Sequence, residues 1–409
     1  MKKAWILNHY AIEPNMSGGT RHFNLAKYLK QYGWDVILIA SSTMHNNNIQ
    51  KLNTTEKRRI EIYEGVSFLW LKTSAYVGNG IGRIKNMLEY SWAVLQNKNI
   101  SILNKPDIII GSSVHPFAVL SAYILAKRYK VPFIFEVRDL WPQTLIDMKR
   151  IKKNGLFAKG MRQMESFLYK KANCIVTLLP YAYKYIENMG IERDKIVYIP
   201  NGANIEDFNC IHNSHPSDTF TLMYMGAMGE ANNLQTILYA ANILQTKSIS
   251  HKINFRLIGD GPFKQSLINL AAKLKLSEHY VSFENSIPKI EVPGKLEEAD
   301  ACIIVVKNLP DLYRYGISMN KIFDYMAAGK PIIIAHYSRN NPIYEAQCGI
   351  TSLSENPEDL ANSILELLSL SKGELHNMEL NGRKYVEQNH NYKILAERLA
   401  NIMNNLINV

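Results

Sequence analysis

Short apolar runs alternate with amphipathic stretches along most of this sequence. The apolar run at residues 4–8 is followed by a turn rich in Pro, Ser and Gly and then by residues 21–31, whose apolar positions recur with helical spacing. The predicted strands cover residues 4–8, 35–40, 108–110, 131–136, 174–178, 196–199, 221–225, 254–258, 281–283, 301–306 and 331–334. The predicted helices cover residues 21–31, 117–129, 156–171, 181–189, 234–244, 263–274, 292–298, 321–328 and 358–370, and three more helical stretches are expected before the C-terminus. This alternation predicts an α/β protein with parallel sheets covered by helices on both faces.

One stretch interrupts the pattern and marks a domain boundary. Residues 201–217 contain Pro, Asn, Gly, Ser and His without a clear period. We therefore predict two doubly wound, Rossmann-like domains, residues 1–205 and 206–390, with a last helix over 391–409 that packs on the first domain. Ligands bind such sheets at the carboxyl ends of their strands, so the cleft between the two domains is the predicted ligand site.

Charge is distributed unevenly over a chain of otherwise ordinary composition. The 409 residues are 47% hydrophobic and 20% charged, which suits two or three globular domains. Residues 1–205 hold 29 Lys and Arg against 14 Asp and Glu, and residues 206–409 hold 18 against 22. The basic half favours a polyanionic partner, either an anionic membrane or a phosphorylated substrate, although a solvated lysine-rich surface is an alternative. Nucleic acid is not expected, because no reading motif is recognisable.

Cysteine spacing and the N-terminus restrict the location of the protein and its metal chemistry. The four cysteines, Cys174, Cys210, Cys302 and Cys348, show no C-x-x-C spacing, so we expect reduced thiols and no metal site. The N-terminal apolar run becomes polar after seven residues and is too short for a signal peptide. No apolar run approaches the roughly 18 residues that span a bilayer. A cytoplasmic protein is expected.

A pair of glycines between the first strand and the first helix is the first candidate ligand site. Gly18 and Gly19 allow the backbone to approach a ligand, and the following helix directs unpaired N–H groups at it. The segment is neither G-x-G-x-x-G nor a P-loop, so a plain turn is an equal alternative.

A second candidate lies where a helix begins after the strand at residues 301–306. Ser318, Met319 and Asn320 would supply the unpaired amides of the helix N-terminus to a diphosphate, and Lys321 would add positive charge. Asp324, one turn further along, is placed to accept hydrogen bonds from ribose hydroxyls. The alternative is that Asp324 only caps the helix or pairs with Lys321.

Several motifs in the order of one family connect these sites. Residues 324–331, Asp-Tyr-Met-Ala-Ala-Gly-Lys-Pro, resemble the E-A-M-A-x-G-x-P segment of retaining family 4 glycosyltransferases of GT-B fold. Further similarity lies at Gly18-Gly19 and at residues 199–202, 224–226 and 257–262. Within that family the chain looks most like bacterial O-antigen and capsule enzymes of the L-fucosamine (FucNAc) transferase type, which share a segment like residues 136–142 and the run ending in Phe-Asp-Tyr-Met-Ala-Ala-Gly-Lys-Pro.

The resemblance implies roles for residues of the second domain. The second glutamate of the family's E-x7-E motif falls at Asp324, and the first falls at Gly316, which has no carboxylate. The loop that begins at Gly226 is implied to bind the donor but lacks the family's Arg and Lys. Lys264 and Lys321 are the expected substitutes for neutralising phosphate. An ordinary surface lysine is the alternative for both, and for Lys264 it is an equal one.

In the first domain, the resemblance implies that His115 meets the donor sugar, and a satisfied loop histidine is the alternative. Glu136, Arg138 and Asp139 end the strand at residues 131–136, where they either pair with each other or bind substrate. An Arg138–carboxylate pair that shapes the acceptor pocket would be consistent with both alternatives, mutual pairing and substrate binding. The expected catalytic set is therefore His115, Lys321, Glu136 and Arg138.

The resemblance implies a retaining, metal-independent transfer of a HexNAc-type sugar such as L-FucNAc. The donor is expected to be a UDP-sugar, without any further cofactor, and the acceptor an undecaprenyl-diphosphate-linked saccharide in O-antigen or capsule synthesis. Basic and apolar residues at 149–171 and at 81–95 are expected to hold the protein peripherally on the inner leaflet, and the alternative is that these helices bury their apolar stripes in their own domain. The alternatives are a UDP-sugar 2-epimerase of the same fold and a non-catalytic partner subunit.

Overall fold

The computed structural model of the protein consists of two compact units. It describes residues 1–44, 49–76, 78, 80–208, 219–247 and 252–408. The first unit comprises Met1–Glu13, Gly19–Pro200 and Tyr392–Val409, and the second comprises Pro14–Gly18 and Asn201–Asn391. The chain thus leaves the first unit at Pro200 and not after residue 205. Residues 209–217 of the expected linker, including Cys210, lie outside the described residues.

An eight-stranded sheet forms the centre of the first unit. Its strands are β1 (Lys2–Leu7), β2 (Trp34–Ser41), β3 (Arg58–Tyr63), β4 (Val66–Leu71), β5 (Ile108–Ser112), β6 (Phe133–Val137), β7 (Cys174–Thr177) and β8 (Ile196–Tyr198). They lie in the order β3-β4-β2-β1-β5-β6-β7-β8, with every neighbouring pair parallel except the antiparallel β3–β4 hairpin. The central strands are buried on both faces, which is why they appear in the sequence as continuous apolar runs.

Helices cover this sheet. They are α1 (Arg21–Leu29), α2 (Ile81–Leu95), α3 (Asn97–Ile100), α4 (Pro116–Tyr129), α5 (Gln143–Asp147), α6 (Leu156–Lys171) and α7 (Ala182–Glu187). Helix α4 contacts both α2 and α6, so these three helices share one face of the sheet. None of the helices in the described ranges is long and apolar enough to cross a membrane.

The second unit repeats the architecture with six parallel strands. They are β9 (Thr219–Met225), β10 (Lys252–Ile258), β11 (Val281–Glu284), β12 (Ala301–Val305), β13 (Ile332–Ala335) and β14 (Gly349–Ser352), in the order β11-β10-β9-β12-β13-β14. Their helices are α8 (Gln235–Gln245), α9 (Lys264–Lys273), α10 (Val292–Glu297), α11 (Pro310–Tyr313), α12 (Asn320–Ala327), α13 (Pro342–Ala346), α14 (Pro357–Ser369) and α15 (Lys372–Asn389). Strand order reverses at β9, between β10 and β12, and the carboxyl ends there are the usual ligand position of such sheets.

The last helix, α16 (Tyr392–Ile407), returns to the first unit and packs on α1. Its Leu395, Leu399 and Met403 are buried. The side-chain oxygen of Asn404 accepts hydrogen bonds from Lys2 Nζ at 3.0 Å and Trp34 Nε1 at 3.2 Å. Five 3₁₀ turns complete the described structure, at Lys30–Tyr32, Arg193–Lys195, Ile205–Asp207, Glu230–Asn232 and Lys289–Glu291.

The structure contains three strands that the sequence pattern did not predict, β3, β4 and β14. It also has fewer helices near the C-terminus than the pattern predicted. Residues 372–389 form one continuous helix, so two described helices follow residue 370 where three were expected. Strand β3 was not predicted, and its side chains reverse the usual arrangement: the apolar ones are exposed and a charged one is held by hydrogen bonds. Ile62 is 68% exposed, whereas Glu61 accepts hydrogen bonds from Arg59, Tyr63 and Trp70.

Three of the four cysteines lie in the described core and form no disulfide. Cys174, Cys302 and Cys348 are buried, and burial raises the pKa of the Cys174 thiol to about 11. A buried thiol with a raised pKa is a poor nucleophile and a poor metal ligand.

Candidate functional site

The floor of the candidate site in the second unit is made of glycines at the ends of β9 and β10. The N–H of Gly226 donates to the carbonyl of Ile258 at 2.9 Å, and the N–H of Gly259 donates to the carbonyl of Glu284 at 3.1 Å. Gly259 has a φ of +150°, and a Cβ atom on it would overlap the carbonyl of Gly226. Only glycine therefore allows the two loops to approach so closely.

Lys321, in the first turn of α12, reaches over this floor. Its Nζ donates to the Tyr224 hydroxyl at 2.8 Å and to Asn232 Oδ1 at 3.0 Å, and lies 4.3 Å from the centre of the Tyr224 ring. A Cβ atom on Gly226 would come within 3.0 Å of the same Nζ. Burial lowers the pKa of Lys321 to about 7. The loop that lacks Arg and Lys therefore receives its positive charge from α12.

Two asparagines, Asn340 and Asn201, fix the backbone that leads into the N-terminus of α12. The N–H of Ile317 donates to Asn340 Oδ1 at 2.7 Å, and Asn340 Nδ2 donates to the Ile317 carbonyl at 3.1 Å. Asn201 donates its N–H to Ser318 Oγ at 3.0 Å and its Nδ2 to the Ser318 carbonyl at 2.5 Å. No described side chain caps the helix at Met319. The N–H of Ile322 already donates to the Met319 carbonyl at 3.1 Å, so the amides of Asn320 and Lys321 are the ones that remain for an anion.

Asp324 is buried and paired, but not with Lys321 as the structural alternative expected. Its Oδ2 lies 2.5 Å from Nζ of Lys289, in the 3₁₀ turn before α10. The backbone N–H groups of Lys289 and Ile290 donate to the carbonyls of Met16 at 3.1 Å and Pro14 at 3.2 Å. This explains why Pro14–Gly18 belongs to the second unit. Gly18, with a φ of +136°, falls in the same unit as Asp324, while Gly19 falls in the first.

Lys264 has three acceptors of its own in the second unit. Its Nζ donates to Asp260 Oδ1 at 2.9 Å, to the Glu284 carbonyl at 2.9 Å and to Asn285 Oδ1 at 2.7 Å. These bonds tie the turn after β10 to the end of β11. They favour the alternative reading of Lys264 as a structural lysine over phosphate neutralisation.

The first unit places Glu136 in a buried polar cluster with Arg21 and His22, and the positive charge of Arg138 lies near enough to lower the pKa of Glu136 further. Glu136 accepts from Arg21 Nε at 2.8 Å and from His22 Nε2 at 2.5 Å. Burial alone would raise the pKa of Glu136, but His22 and Arg21 outweigh it and hold that pKa well below its ordinary value. Arg21 also donates to the carbonyls of Ile199 and Pro200. The charges at the end of β6 thus fasten the last residues before the second unit. The backbone N–H of Arg138 donates to Ser113 Oγ at 3.0 Å.

His115 caps α4. Its Nδ1 accepts from the N–H of Ala118 at 3.2 Å, and its Nε2 lies 2.8 Å from Nδ1 of His9. Burial lowers the pKa of His115 to about 3, so the ring is neutral at physiological pH. Since Nδ1 is an acceptor, the proton is on Nε2 and is donated to His9. The arrangement favours the satisfied loop histidine over a group that meets substrate directly.

Lys289, Asn340, Arg21 and His22 contribute to these sites but were not identified from the sequence. Each contacts its partner across at least 23 positions of the chain, and no local motif contains both partners. Within the described ranges, no three His, Cys, Asp or Glu side chains are grouped as metal ligands.

Two protein families account for most of the chain. The Glycosyl transferase 4-like domain matches residues 18–202, and Glycosyl transferases group 1 matches residues 219–370. This chain is a glycosyltransferase of the GT-B fold. The glycosyltransferase is 23% identical over 323 residues to "Probable glycosyltransferase WbjE" of Pseudomonas aeruginosa, covering 74% of this chain and 76% of that protein. The matches do not favour the epimerase or the non-catalytic subunit.

Solved structures share the fold of this glycosyltransferase over nearly its whole length. Sucrose-phosphate synthase from Thermosynechococcus elongatus superposes with a TM-score of 0.75 at 16% identity, covering 99% of both chains. Alr3699/HepE of Anabaena, solved with UDP and glucose, superposes with a TM-score of 0.68 at 13% identity, covering 99% of this chain and all of that one. At such identities the similarity establishes the fold.

Proposed function

We propose that the second unit of this glycosyltransferase binds a UDP-sugar and that the enzyme transfers the sugar to a lipid-linked saccharide. The observation that carries this proposal is the position of the Lys321 ammonium. It lies over the glycine floor and beside the uncapped N-terminus of α12, where a diphosphate would meet both a cation and free amides. HepE, of similar fold, binds UDP and glucose.

In this proposal the nucleotide extends from the N-terminus of α12 toward Asp324, which lies one turn further along the same helix. The amides after Met319 hold the diphosphate, Lys321 neutralises it, and the Asp324 carboxylate accepts hydrogen bonds from the ribose hydroxyls. Ser318 contributes to the donor site by its hydrogen bond with Asn201, which positions the backbone before α12. Gly226 contributes by having no side chain, which leaves room for Lys321.

The chemistry that we propose is retaining and independent of a metal ion. The leaving diphosphate takes the proton of the acceptor hydroxyl on the face where the new bond forms, so the enzyme needs no separate base. The protein stabilises charge that develops on the leaving phosphate, through the α12 amides and Lys321. Glu136 and His115 act through the loops that they hold, and Arg138 at the end of β6 is the candidate for substrate contact.

The proposed acceptor is a saccharide on undecaprenyl diphosphate, and the proposed donor sugar is of HexNAc type, such as L-FucNAc. The basic first half supports an anionic lipid partner. Two exposed apolar groups on one face of the first unit also support peripheral attachment to the inner leaflet. They are Ile81, Ile84, Leu88 and Trp92 on α2 and Leu156 and Phe157 on α6.

A panel of nucleotide sugars tests the donor assignment. Titration calorimetry with UDP and UDP-sugars should give micromolar to millimolar binding, and Asp324→Ala should lose about tenfold or more in affinity for UDP. Asp311→Ala, which removes an exposed aspartate of the same unit, is the matched control. Transfer to a lipid-linked acceptor should persist in EDTA. Loss of activity in EDTA with recovery in manganese would contradict metal independence, and unchanged UDP binding by Asp324→Ala would contradict the site.

A further inference from the structure

Asp324 already has a partner in the structure, and that partner determines how the carboxylate can meet a nucleotide. Lys289 Nζ is 2.5 Å from Oδ2, and the two side chains retain 18% and 9% of their exposure. A carboxylate has two oxygens and accepts about four hydrogen bonds. The lysine bond at Oδ2 leaves Oδ1 as the second acceptor, and the pairing restricts the directions in which Oδ1 can point.

The backbone that carries Lys289 is itself held in place. Lys289 opens the 3₁₀ turn Lys289–Glu291 directly after Pro288, and two N–H groups of this turn bind the carbonyls of Met16 and Pro14. The lysine therefore connects Asp324 to the segment that ends in Gly18. A surface lysine without such anchoring would gain little from an exposed ion pair, but this pair is mostly buried and its geometry is fixed on both sides.

We propose that Lys289 is a positioning and specificity residue for the nucleotide: it orients Asp324 toward a ribose diol. This inference rests on the proposed function and extends it to the choice of ribonucleotide. Asp324 is one methylene shorter than the glutamate of the family motif, so its reach depends more strongly on a fixed orientation. Removing Lys289 leaves the Asp324 carboxylate in place, but the carboxylate is then no longer oriented toward the ribose diol.

Binding of UDP and of 2′-deoxy-UDP to four proteins tests this role. We expect Lys289→Met to weaken UDP binding about 5- to 10-fold and to reduce the preference for UDP over 2′-deoxy-UDP, because the hydroxyl contact is what becomes misaligned. Asp324→Asn should show the same loss of preference. The double variant should bind no more weakly than Asp324→Asn, since both changes remove one interaction.

Two further variants separate positioning from a general loss of structure. Lys289→Arg keeps the charge and should restore the ribose preference. Lys295→Met removes another salt-bridged lysine, 21% exposed and six residues away, which pairs with Glu284 and Glu298; it should bind both nucleotides as the wild type does.

The outcomes are distinguishable from failure of the proposed function. If the wild type binds UDP but Lys289→Met binds both nucleotides with unchanged or higher affinity, the positioning role is wrong and the donor site stands. Additive losses in the double variant would also overturn it. If the wild type binds neither nucleotide, the proposed function itself fails.

Discussion

Single charged side chains in this enzyme are tuned by burial, and Lys321 is the one most closely connected to the proposed donor site. Its ammonium lies against the Tyr224 ring with two neutral hydrogen-bond acceptors, an environment that solvates a cation less well than water does. A lysine in such a site gains most when an anionic ligand arrives. This gives a pH dependence that an arginine at the same position would lack.

Affinity for UDP should fall as the pH rises from about 7 to 9. The pKa of Lys321 is about 7 in the free protein, so its cationic form predominates below that pH and is lost above it. UDP itself is fully ionised over this range, because its last phosphate pKa is near 6. Calorimetry across the range checks this, with Lys321→Arg expected to show a flat profile. A wild-type affinity that stays constant or rises would contradict the assigned charge.

A second buried group, Glu165 on α6, should make stability depend on pH. It accepts hydrogen bonds from the hydroxyls of Tyr169 and Tyr185, both at 2.8 Å, and burial raises its pKa to about 8. The folded state therefore binds the proton more tightly than the unfolded state, whose pKa is near the ordinary value of 4.5. The stabilisation is fully present below about 4.5 and is lost as the pH rises toward 8.

Replacing this carboxyl by an amide should remove that dependence. Between about pH 5.5 and 8.5 we expect Tm to fall more in the wild type than in Glu165→Gln. Glu192→Gln, at an exposed position of the same unit, should follow the wild type. Parallel Tm profiles for wild type and Glu165→Gln would show that Glu165 does not titrate in this window.

At the scale of whole elements, α2 is amphipathic with a second apolar stripe that its own sheet does not cover. Met87, Tyr90 and Val94 are buried, while the exposed stripe recurs at spacings of three and four residues on the opposite side. Ile81 is 85% exposed and Trp92 68%. Exposed apolar stripes of this size normally mark an interaction surface.

Removing this stripe should weaken binding to vesicles that contain anionic lipid. We expect Leu88→Ser/Trp92→Ser to reduce co-sedimentation with phosphatidylglycerol vesicles several-fold, because each buried apolar side chain contributes on the order of 1–3 kcal/mol. Tyr344→Ser changes a residue that is 75% exposed in the second unit and is the control. Equal sedimentation of the double variant and the wild type would exclude α2 from the lipid contact.

At the scale of the molecule, the chain crosses from the first unit to the second and returns for its final helix. Helix α16 completes the packing around α1, so folding of the first unit depends on residues nearly 400 positions from its first strand. All five tryptophans, Trp5, Trp34, Trp70, Trp92 and Trp141, lie in the first unit. Tryptophan emission therefore reports on the unfolding of that unit.

Truncating one buried side chain of α16 should destabilise the first unit. Leu395 is fully buried, and Leu395→Ala should lower the free energy of unfolding by about 2–5 kcal/mol. Urea titration followed by tryptophan emission measures the change, with Asn405→Ala at an exposed position of the same helix as control. A midpoint equal to that of the wild type would show that the helix contributes little to this unit.

The sequence was most informative about features that depend on residues close together in the chain. Continuous apolar strands and helices with a 3.6-residue period follow from neighbours in the chain, so two doubly wound α/β domains were predicted correctly from the pattern. The GT-B fold, which the family resemblance implied, is also confirmed. Strand β3 was not predicted because it has only two aliphatic residues, Ile60 and Ile62, among charged ones, and both are exposed.

Tertiary structure alone determined which charged groups meet. The sequence placed Asp324 one turn after Lys321 and Glu136 two residues before Arg138, but the closest ion pairs of both carboxylates are with residues distant in the chain. Asp324 pairs with Lys289 and Glu136 with Arg21, because buried charges must be satisfied by whatever the packed strand ends bring within reach. Helical and strand periodicity depends on residues that are close in the chain. These pairings depend instead on the order of strands in each sheet, which brings distant residues together.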